Sequence, residues 1–285
     1  MKEESKFTKV AHFDGESVTI KKYDTSILSP ENAFKPHPPI KPLTNNGIIG
    51  TDDREILKNF FTYPNSTICW LFSIFPDGTE DQQVGSGVMM GKNTVLTCAH
   101  NLYSRKFKTF ARDVKIVPAA YSGYLPNPNF TPFGVAFKED VWISDEYRDS
   151  TISNLAASNY DWGVIKLTEA LGDSTGFCDP YTTNENLLNR NVISKGYPNP
   201  DGTRPIVAYE ATGKITKVNP LSYETTIDME QGQSGSPIFL ESNQTNIIGI
   251  LTAILNDKNA NKGIRITPDL YSTLVKIRFE AEGKA

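Results

Sequence analysis

The feature that most constrains the fold is a series of short apolar runs, which begins at Ile48 and continues almost to the end of the chain. The runs are ICWLFSIF, VGSGVMM, TVLTCA, WGVIKL, PIVAYEA, SPIFL and IIGILTAIL. Each is rich in β-branched or aromatic residues, and turn-forming residues stand between several of them, as at Pro76–Gly78, Gly91–Asn93 and Pro200–Gly202. No helix-length periodic segment intervenes, so the sequence predicts an all-β sandwich or barrel.

One helix is predicted, at the carboxyl end of the chain. Pro268 can occupy the first turn of a helix, and an apolar face with approximately helical spacing follows it. The residues of this face are Leu270, Leu274, Ile277 and Phe279. We therefore predict a terminal helix over residues 268–285.

A proline-rich extension over residues 1–47 precedes the strand-rich body. Its prolines are Pro30, Pro36, Pro38, Pro39 and Pro42, and the polar segment Thr44–Gly47 follows them. Proline fixes φ and lacks an N–H donor, so dense proline favours an extended backbone with few hydrogen bonds. The extension is a linker, an arm wrapped around the body or a propeptide that is removed, and the residues alone leave these three alternatives open.

Charge and hydropathy exclude several classes of function. The chain has 29 basic and 33 acidic residues and a formal net charge of −4, without a basic block that would favour nucleic acid or an anionic membrane. No apolar run approaches the roughly 18 residues of a membrane span. The start, MKEESKFTKV, lacks the apolar core of a secretory signal. We therefore expect neither a nucleic-acid partner nor a membrane partner.

The cysteines predict neither a disulfide scaffold nor a zinc site. Cys69, Cys98 and Cys178 are few and odd in number, and their spacing excludes a CxxC motif. We expect three free, buried thiols. We also expect that the protein needs no metal and no organic cofactor.

The segment Gly232–Pro237, GQSGSP, indicates a serine nucleophile. A serine that attacks a peptide carbonyl must protrude from a tight turn beside N–H groups that face the developing negative charge. Ser234 fits the nucleophile, and the amides of Gly232 and Ser234 fit the oxyanion hole. The alternative is an ordinary glycine-serine turn. The elbow of an α/β-hydrolase is excluded, because that fold places its histidine after the serine and no histidine follows Ser234.

The candidate base is His100, by elimination. The chain has three histidines, and His12 and His37 both lie in the extension. His100 ends the apolar segment Thr94–His100, which would deliver an imidazole from a rigid strand into a cleft. A lone histidine is more often structural or exposed, so the prediction depends on the pairing with Ser234.

The carboxylate that orients His100 is predicted to be Asp161. It stands at the start of the apolar run WGVIKL, where a buried carboxylate without a partner would be costly. The other candidates, Asp140, Asp145 and Asp149, lie in a charged, turn-like stretch. The alternative for Asp161 is an exposed aspartate that begins a strand. The resulting chain order is His, Asp, Ser, which differs from the Asp, His, Ser order of subtilisin.

With TCAH, YDWGVIKL and GQSGSP in this order, the chain resembles the glutamyl endopeptidase branch of the chymotrypsin-like serine proteases, which is related to the exfoliative toxins. The likeness extends from Gly47–Arg54, which resembles the start of a mature enzyme, through Lys195–Pro198 to Gly263–Thr267. It implies two six-stranded antiparallel β-barrels with the site between them, an acyl-enzyme, and synthesis as a precursor. The implied units are an extension or propeptide (1–47), a barrel with His100 and Asp161 (48–168), a barrel with Ser234 (169–267) and a helix (268–285).

The resemblance also bears on specificity. Glutamate-specific members carry a histidine in the strand after the nucleophile, and Leu251 occupies that position here, while Met229 replaces a small hydroxyl residue of the pocket. An apolar pair does not compensate the desolvation of a glutamate charge, so we expect a neutral or apolar P1 residue. Asp228 stands as far before Ser234 as the aspartate of trypsin's pocket for basic side chains stands before the trypsin nucleophile. Members of this branch can nevertheless carry aspartate there without trypsin-like specificity.

Thr252 corresponds to a hydroxyl residue that hydrogen-bonds the triad aspartate in relatives. The alternative is an ordinary strand threonine. We count Thr252, with Met229 and Leu251, among the candidate substrate-binding residues.

Two classes of function follow from these observations. The first is a serine endopeptidase that acts as a monomer on polypeptide substrates. The second is a non-catalytic or toxin-like binding protein that keeps the protease fold, and the complete set of three candidate residues argues against it. The family is mostly secreted while this sequence begins without a secretory signal, so a secreted and an intracellular location both fit.

Overall fold

The computed structural model describes residues 7–24, 49, 52–76, 82–124, 127–199, 205–255 and 260–284. The strands of the first part of the chain are β1 (Phe7–Phe13), β2 (Val18–Asp24), β3 (Glu55–Ile56), β4 (Ile68–Ile74), β5 (Gln82–Met89), β6 (Thr94–Thr97), β7 (Tyr103–Ser104), β8 (Thr109–Phe110), β9 (Asp113–Pro118), β10 (Tyr121–Tyr124), β11 (Asn127–Phe130), β12 (Ala136–Ser144) and β13 (Gly163–Leu167). Those of the second part are β14 (Asp179–Pro180), β15 (Asn191–Gly196), β16 (Tyr209–Val218), β17 (Ser222–Thr225), β18 (Pro237–Leu240), β19 (Asn243–Leu255) and β20 (Ala260–Arg265). The helices are α1 (Asp145–Arg148), α2 (Asn154–Ala157), α3 (Gly172–Thr175) and α4 (Pro268–Ala281).

Six antiparallel strands close the first barrel. Their order is β13-β6-β5-β4-β9-β12, and β12 pairs with β13 to complete the ring. Apolar side chains of these strands fill the interior, and the burial of their surface favours the closed sheet. The buried residues include Leu71, Val95, Ile116, Val141 and Ile165.

The second barrel has the same construction. Its strands follow the order β19-β18-β15-β16-β17-β20, and β19 pairs with β20 to close it. Ile215, Tyr223, Ile238 and Ile248 are among the residues of its interior. Two short strands are added to this sheet, since β3 pairs with β16 and β14 lies parallel to β19. The two six-stranded barrels confirm the predicted fold class.

The strands of the two barrels fall within the predicted units. The first barrel uses strands from β4 to β13, and the second uses strands from β15 to β20. The boundaries of the units at residues 48, 168 and 267 stay a prediction.

A hairpin from the amino-terminal extension is added to the first barrel. β1 pairs with β2 and also with β12, so the hairpin continues the sheet of the barrel. Val10 is fully buried, and the Tyr23 hydroxyl donates a hydrogen bond to Glu280 at 2.8 Å. Lys21 forms an ion pair with the same carboxylate. This part of the extension thus lies on the body as an arm, whereas its proline-rich part, residues 25–48, lies outside the described residues.

The predicted terminal helix is confirmed as α4. Thr267 caps it, because the threonine hydroxyl accepts the Leu270 N–H at 3.2 Å, and Pro268 lies in the first turn. Leu274 and Ile277 are fully buried, which confirms the apolar face. The helix ends at its last buried turn, before the end of the predicted range.

A buried ion pair joins α4 to both barrels. Arg278 donates from Nη1 to Asp179 Oδ1 at 2.6 Å and to the Met90 carbonyl oxygen at 2.9 Å. Asp179 lies in β14, beside the second barrel, and Met90 directly follows β5 of the first. The helix therefore connects the two barrels on the outside of the molecule.

The cysteines agree with the sequence-based expectation. Cys69, Cys98 and Cys178 are free and buried. Burial raises the pKa of each thiol, to about 12 at Cys178, so the thiols stay protonated at neutral pH. None of the described helices is long and apolar enough to span a membrane.

Candidate active site

His100 and Asp161 come from neighbouring strands of the first barrel. β6 and β13 are antiparallel, with Thr97 opposite Gly163, so the end of β6 lies beside the start of β13. His100 lies in a 3₁₀ turn, Ala99–Asn101, just after β6, and Asp161 lies just before β13. The strand pairing therefore brings together two residues that are 61 positions apart in the sequence.

The Asp161 carboxylate holds His100 through two hydrogen bonds. Its Oδ2 lies 2.7 Å from the imidazole Nδ1, and its Oδ1 accepts the His100 backbone N–H at 2.9 Å. Burial disfavours the imidazolium form, but the charge and the hydrogen bond of Asp161 together outweigh burial and raise the pKa of His100 above its usual 6.5. Because Nδ1 is engaged, Nε2 is the ring nitrogen left for proton transfer.

Ser234 lies in a tight turn that requires glycine on both sides. Gly232 and Gly235 have φ angles of +98° and +91°, which side chains of L-residues rarely tolerate. A Cβ at position 235 would lie 2.1 Å from the Ser86 carbonyl oxygen, and one at position 232 would lie 2.5 Å from the Tyr197 carbonyl oxygen. These close approaches explain the glycine spacing of the GQSGS motif. Ser234 itself stays partly exposed.

Hydrogen bonds from the first barrel hold the Ser234 turn against the His100 turn. The Ser234 carbonyl accepts the Ser86 backbone N–H at 2.8 Å and the Asn101 side-chain amide at 2.9 Å. Asn101 is the residue after His100, so this contact limits how far the two turns can separate. The structure therefore brings the predicted nucleophile against the turn that carries the predicted base.

The backbone around Ser234 leaves two N–H groups available. The Gln231 carbonyl accepts the Asn199 N–H, and the Gly232 carbonyl accepts the Ser86 hydroxyl, each at 2.8 Å. A trans peptide carries its N–H opposite its carbonyl, so the first contact turns the Gly232 N–H away from Asn199. Within the described ranges, the Gly232 and Ser234 amides donate no hydrogen bond. Two such amides beside a serine hydroxyl can stabilise an oxyanion.

Met229 and Leu251, two of the predicted pocket residues, are buried in the second barrel. Both belong to its apolar interior. The backbone of Leu251 also supports the nucleophile turn, since its N–H donates to the Ser236 carbonyl and its carbonyl accepts the Gly235 N–H, each at 2.8 Å. The backbone of this strand therefore supports the nucleophile turn.

Thr252 and Asp228 have partners that the sequence did not indicate. The Thr252 hydroxyl donates to the Lys262 carbonyl at 3.3 Å, and not to the candidate catalytic aspartate. The buried carboxylate of Asp228 accepts the N–H of Ile49, and that of Asp53 at 3.5 Å. Burial raises the pKa of Asp228 to about 6, although these two hydrogen bonds lower it.

Three polar residues at this site were missed by the sequence analysis. Ser86 lies inside β5, Asn101 follows His100, and Arg54 precedes β3. Each contacts the nucleophile turn across 133 to 179 residues of sequence. No local motif identifies a serine in a strand or an asparagine in a turn. The one available signal was that Arg54 belongs to the segment that resembles the start of a mature enzyme.

One group of side chains has the composition of a metal site. Ligand atoms of Cys98, His100 and Asp161 lie within 4.8 Å of one another. However, the Cys98 thiol donates to the Leu251 carbonyl at 3.2 Å, and the imidazole is already paired with the carboxylate. Burial raises the pKa of this thiol, so the thiolate that a metal would need is disfavoured. The donors fit a hydrogen-bonded acid–base pair better than a metal site.

Known proteins with similar sequences and structures include several peptidases. The sequence model of the trypsin-like peptidase domain matches residues 85–250, more than half of the chain. A glutamyl endopeptidase of Bacillus licheniformis is 27% identical over 88% of this chain and 75% of its own length. An extracellular metalloprotease of Bacillus subtilis is 24% identical over 82% of this chain and 71% of its own length.

Among solved structures, a Glu endopeptidase in complex with MPD covers 81% of this chain and 99% of its own, with a TM-score of 0.68 and 21% identity. This likeness supports the fold, and the match to the domain model supports the family. Proteins of this family act on polypeptides. The chain therefore belongs to the trypsin-like peptidase domain family and is a serine protease of the chymotrypsin fold, related to the glutamyl endopeptidases.

Proposed function

We propose that this chain is a serine endopeptidase with Ser234 as nucleophile, His100 as general base and Asp161 as the group that orients the base. The observation that carries the proposal is the doubly hydrogen-bonded His100–Asp161 pair, held against the glycine-flanked turn of Ser234. An ordinary glycine-serine turn and an exposed aspartate would not need these contacts, so both alternatives are disfavoured.

The proposed reaction proceeds through an acyl-enzyme. His100 Nε2 takes the hydroxyl proton of Ser234 while Oγ attacks the carbonyl carbon of the peptide, and Asp161 stabilises the imidazolium. The carbonyl oxygen becomes an oxyanion, which accepts hydrogen bonds from the Gly232 and Ser234 amides. The C–N bond then breaks, the leaving amine takes the proton from Nε2, and an ester on Ser234 remains. Water attacks this ester by the same route, releases the acid product and restores both side chains.

The proposed P1 preference is for a neutral or apolar side chain. Met229 and Leu251 are apolar where glutamate-specific relatives have polar groups, so a glutamate carboxylate would lose water without compensation. The Asp228 carboxylate is buried and already accepts the N–H groups of Ile49 and Asp53, so it is poorly suited to receive a basic P1 side chain.

We further propose that residues 1–47 are a pro-segment, and that a cut near Leu43 to Ile48 completes the substrate pocket. The cut would fall just before Ile49, whose N–H reaches Asp228. The region of the cut, within residues 25–48, lies outside the described residues. N-terminal sequencing of active enzyme should find a new amino terminus in this range. Full peptidase activity in an uncut chain would contradict the proposal.

Labelling with a fluorophosphonate probe tests the nucleophile, because the probe reacts with an activated serine. The wild-type protein should be labelled at Ser234 and should hydrolyse peptides, whereas Ser234→Ala should lose both activities. Ser174→Ala, at an exposed serine of α3, is the matched control and should keep both. A wild-type protein that is not labelled would favour the competing proposal, a non-catalytic or toxin-like binding protein with the protease fold.

Cleavage of a peptide library tests the specificity. We expect cuts mainly after neutral or apolar residues. Exclusive cleavage after glutamate would refute the interpretation of Met229 and Leu251 and leave the nucleophile assignment intact.

A further inference from the structure

Arg54 is a buried cation that the proposed reaction does not use. Its side chain has no exposed surface, although it lies in the segment that leads into the first strand on the second barrel, β3. Burial lowers the pKa of the guanidinium, and nearby carboxylates oppose this effect. A buried charge is tolerated only when partners compensate its lost hydration, so the partners of Arg54 indicate what it does.

The hydrogen-bond partners of the Arg54 side chain belong to its own segment and to the nucleophile turn, and its guanidinium also lies over the Tyr209 ring, 5.8 Å from the ring centre. Nε donates to Asp52 Oδ1 at 3.2 Å, and Nη1 donates to Gln233 Oε1 at 3.0 Å. Both Nη atoms lie 3.5 Å from a Glu230 carboxylate oxygen. Gln233 is fully buried and immediately precedes Ser234. The guanidinium thus contacts the nucleophile turn through the buried side chain of Gln233.

Gln233 passes this contact on to the backbone of the turn. Its Oε1 also accepts the Glu230 N–H at 2.8 Å, and its own N–H donates to the Glu230 carbonyl at 3.0 Å. These bonds close a ring that contains Gly232, which has a φ of +98°. Nη1 of Arg54 donates to the same Oε1 that accepts the Glu230 N–H. The guanidinium therefore fixes the position of the Gln233 side chain that closes this ring.

We propose that Arg54 is a positioning residue: through Gln233 it holds the turn in which the Gly232 and Ser234 amides face the substrate oxygen. The inference rests on the proposed function and adds a residue to it. Arg54 does not touch the substrate. It affects the stabilisation of the oxyanion only indirectly, because it holds the turn that carries the two amides.

The hydrogen bond between Arg54 and Gln233 is also present in the uncut chain. Arg54 supplies its charge from a side chain, so no new amino terminus is needed to hold Gln233. Removal of the pro-segment would then change the pocket at Asp228 and leave the turn unchanged. An uncut chain should therefore react with a fluorophosphonate probe at Ser234 even while it hydrolyses peptides slowly.

The main experiment compares Arg54→Gln with Arg112→Gln, a control that removes the same charge from an exposed position. Misplacing an oxyanion donor costs on the order of 100-fold in rate, so we expect kcat of Arg54→Gln to fall by about that factor. KM should change by less than about threefold, because binding does not use the turn in this way. Fluorophosphonate labelling should slow in parallel, and Arg112→Gln should match the wild-type protein.

A second set of variants separates positioning from folding. Gln233→Glu keeps an oxygen acceptor for Arg54 and adds a charge that pairs with it, so its activity should stay within about tenfold of wild type. In the Arg54→Gln background the same carboxylate is buried without its cation. The double variant should therefore lose more kcat than the product of the two factors by which the single variants lower it. If Arg54→Gln does not fold, Gln233→Met, which removes the acceptor at similar volume, should give the same selective fall in kcat.

The outcomes distinguish the two proposals. A folded Arg54→Gln with unchanged kcat, or with a raised KM at unchanged kcat, overturns the positioning role while wild-type labelling at Ser234 upholds the proposed function. Additive effects of the Arg54 and Gln233 variants also overturn it. If the wild-type protein is not labelled at all, the proposed function fails first.

Discussion

His100 and Asp161 form a pair whose geometry sets the protonation of the imidazole. Both carboxylate oxygens contact the same residue, one at the ring and one at the backbone, so the ring cannot rotate without breaking a hydrogen bond to a buried acceptor. The same contact raises the pKa of His100, because a carboxylate stabilises the imidazolium form.

The first prediction concerns the pH dependence of hydrolysis. A general base must be neutral, so kcat/KM should rise with pH through a midpoint above 6.5, the usual pKa of histidine. Asp161→Asn should lower kcat by about 10,000-fold and move this midpoint to lower pH. Asp149→Asn, at an exposed carboxylate, is the control and should leave the profile unchanged. An unaltered midpoint in Asp161→Asn would contradict the role of Asp161.

The second prediction concerns Asp228, whose pKa in the folded protein is about 6 instead of the usual 3.8. The folded state keeps its proton longer than the unfolded state, so this residue makes stability fall as pH rises from about 4 to 6. Below that window both states are protonated, and above it both are ionised. Asp228→Asn does not titrate, so it lacks this loss of stability. Its free energy of unfolding should therefore increase relative to the wild-type value as the pH rises from about 4 to 6. Urea unfolding at pH 4, 5, 6 and 7 measures the difference, and parallel curves would refute the prediction.

At the scale of single residues, the sequence indicated the three proposed catalytic residues more readily than the contacts that hold them. Ser234 and His100 followed from a motif and from elimination, and Asp161 followed from its position at the start of a strand. Thr252 has the Lys262 carbonyl as its partner, which no sequence pattern could indicate. The supporting contact of Asn101 with Ser234 spans 133 residues, so only the folded chain reveals it.

Among the elements, the hairpin of β1 and β2 has the largest consequence for the proposed removal of the pro-segment. It is held by the pairing of β1 with β12 and by the buried side chain of Val10, and it contacts α4 through Glu280. None of these contacts depends on the covalent link to the rest of the chain. A cut in the following segment would therefore leave the hairpin bound to the barrel.

The third prediction tests this attachment. A specific protease site inserted between residues 30 and 40 should yield two fragments that elute together from a sizing column under native conditions and separate in denaturant. Val10→Asp should release the small fragment, because burying a carboxylate without a partner costs several kcal/mol. Lys9→Asp, at the exposed neighbour, is the control. Separation of the wild-type fragments in native buffer would contradict the prediction.

The strands of the barrels were largely predictable because their apolar runs are long enough to be recognised as strands in the sequence. ICWLFSIF and SPIFL correspond to β4 and β18, and TVLTCA contains β6. PIVAYEA was predicted as one strand, but β16 begins only at Tyr209. The helices α1 to α3 were missed, since four residues each show no periodicity. The hairpin was missed because the prolines that follow it dominated the interpretation of the extension.

At the scale of the whole molecule, α4 connects the two barrels through the buried ion pair of Arg278 and Asp179. The fourth prediction is that Arg278→Met lowers the free energy of unfolding by about 3–5 kcal/mol, because the buried carboxyl group of Asp179 loses its cationic partner. Replacing both partners, Arg278→Met with Asp179→Leu, should recover much of this loss. Lys276→Met on the same helix is the control, with an effect of about 1 kcal/mol or less. Urea unfolding measures all four proteins, and equal losses in the single and double variants would refute the argument.

Ser86 belongs to the first barrel, yet both of its hydrogen bonds to the nucleophile turn end on the second: its hydroxyl binds the Gly232 carbonyl and its N–H binds the Ser234 carbonyl. The nucleophile turn of the second barrel is thus held in place across the seam between the two barrels. A small opening of that seam would release both carbonyls while each barrel kept its own core and strand pairing. We therefore expect inactivation and denaturation to be separate events, and we expect neither barrel alone to perform the proposed reaction.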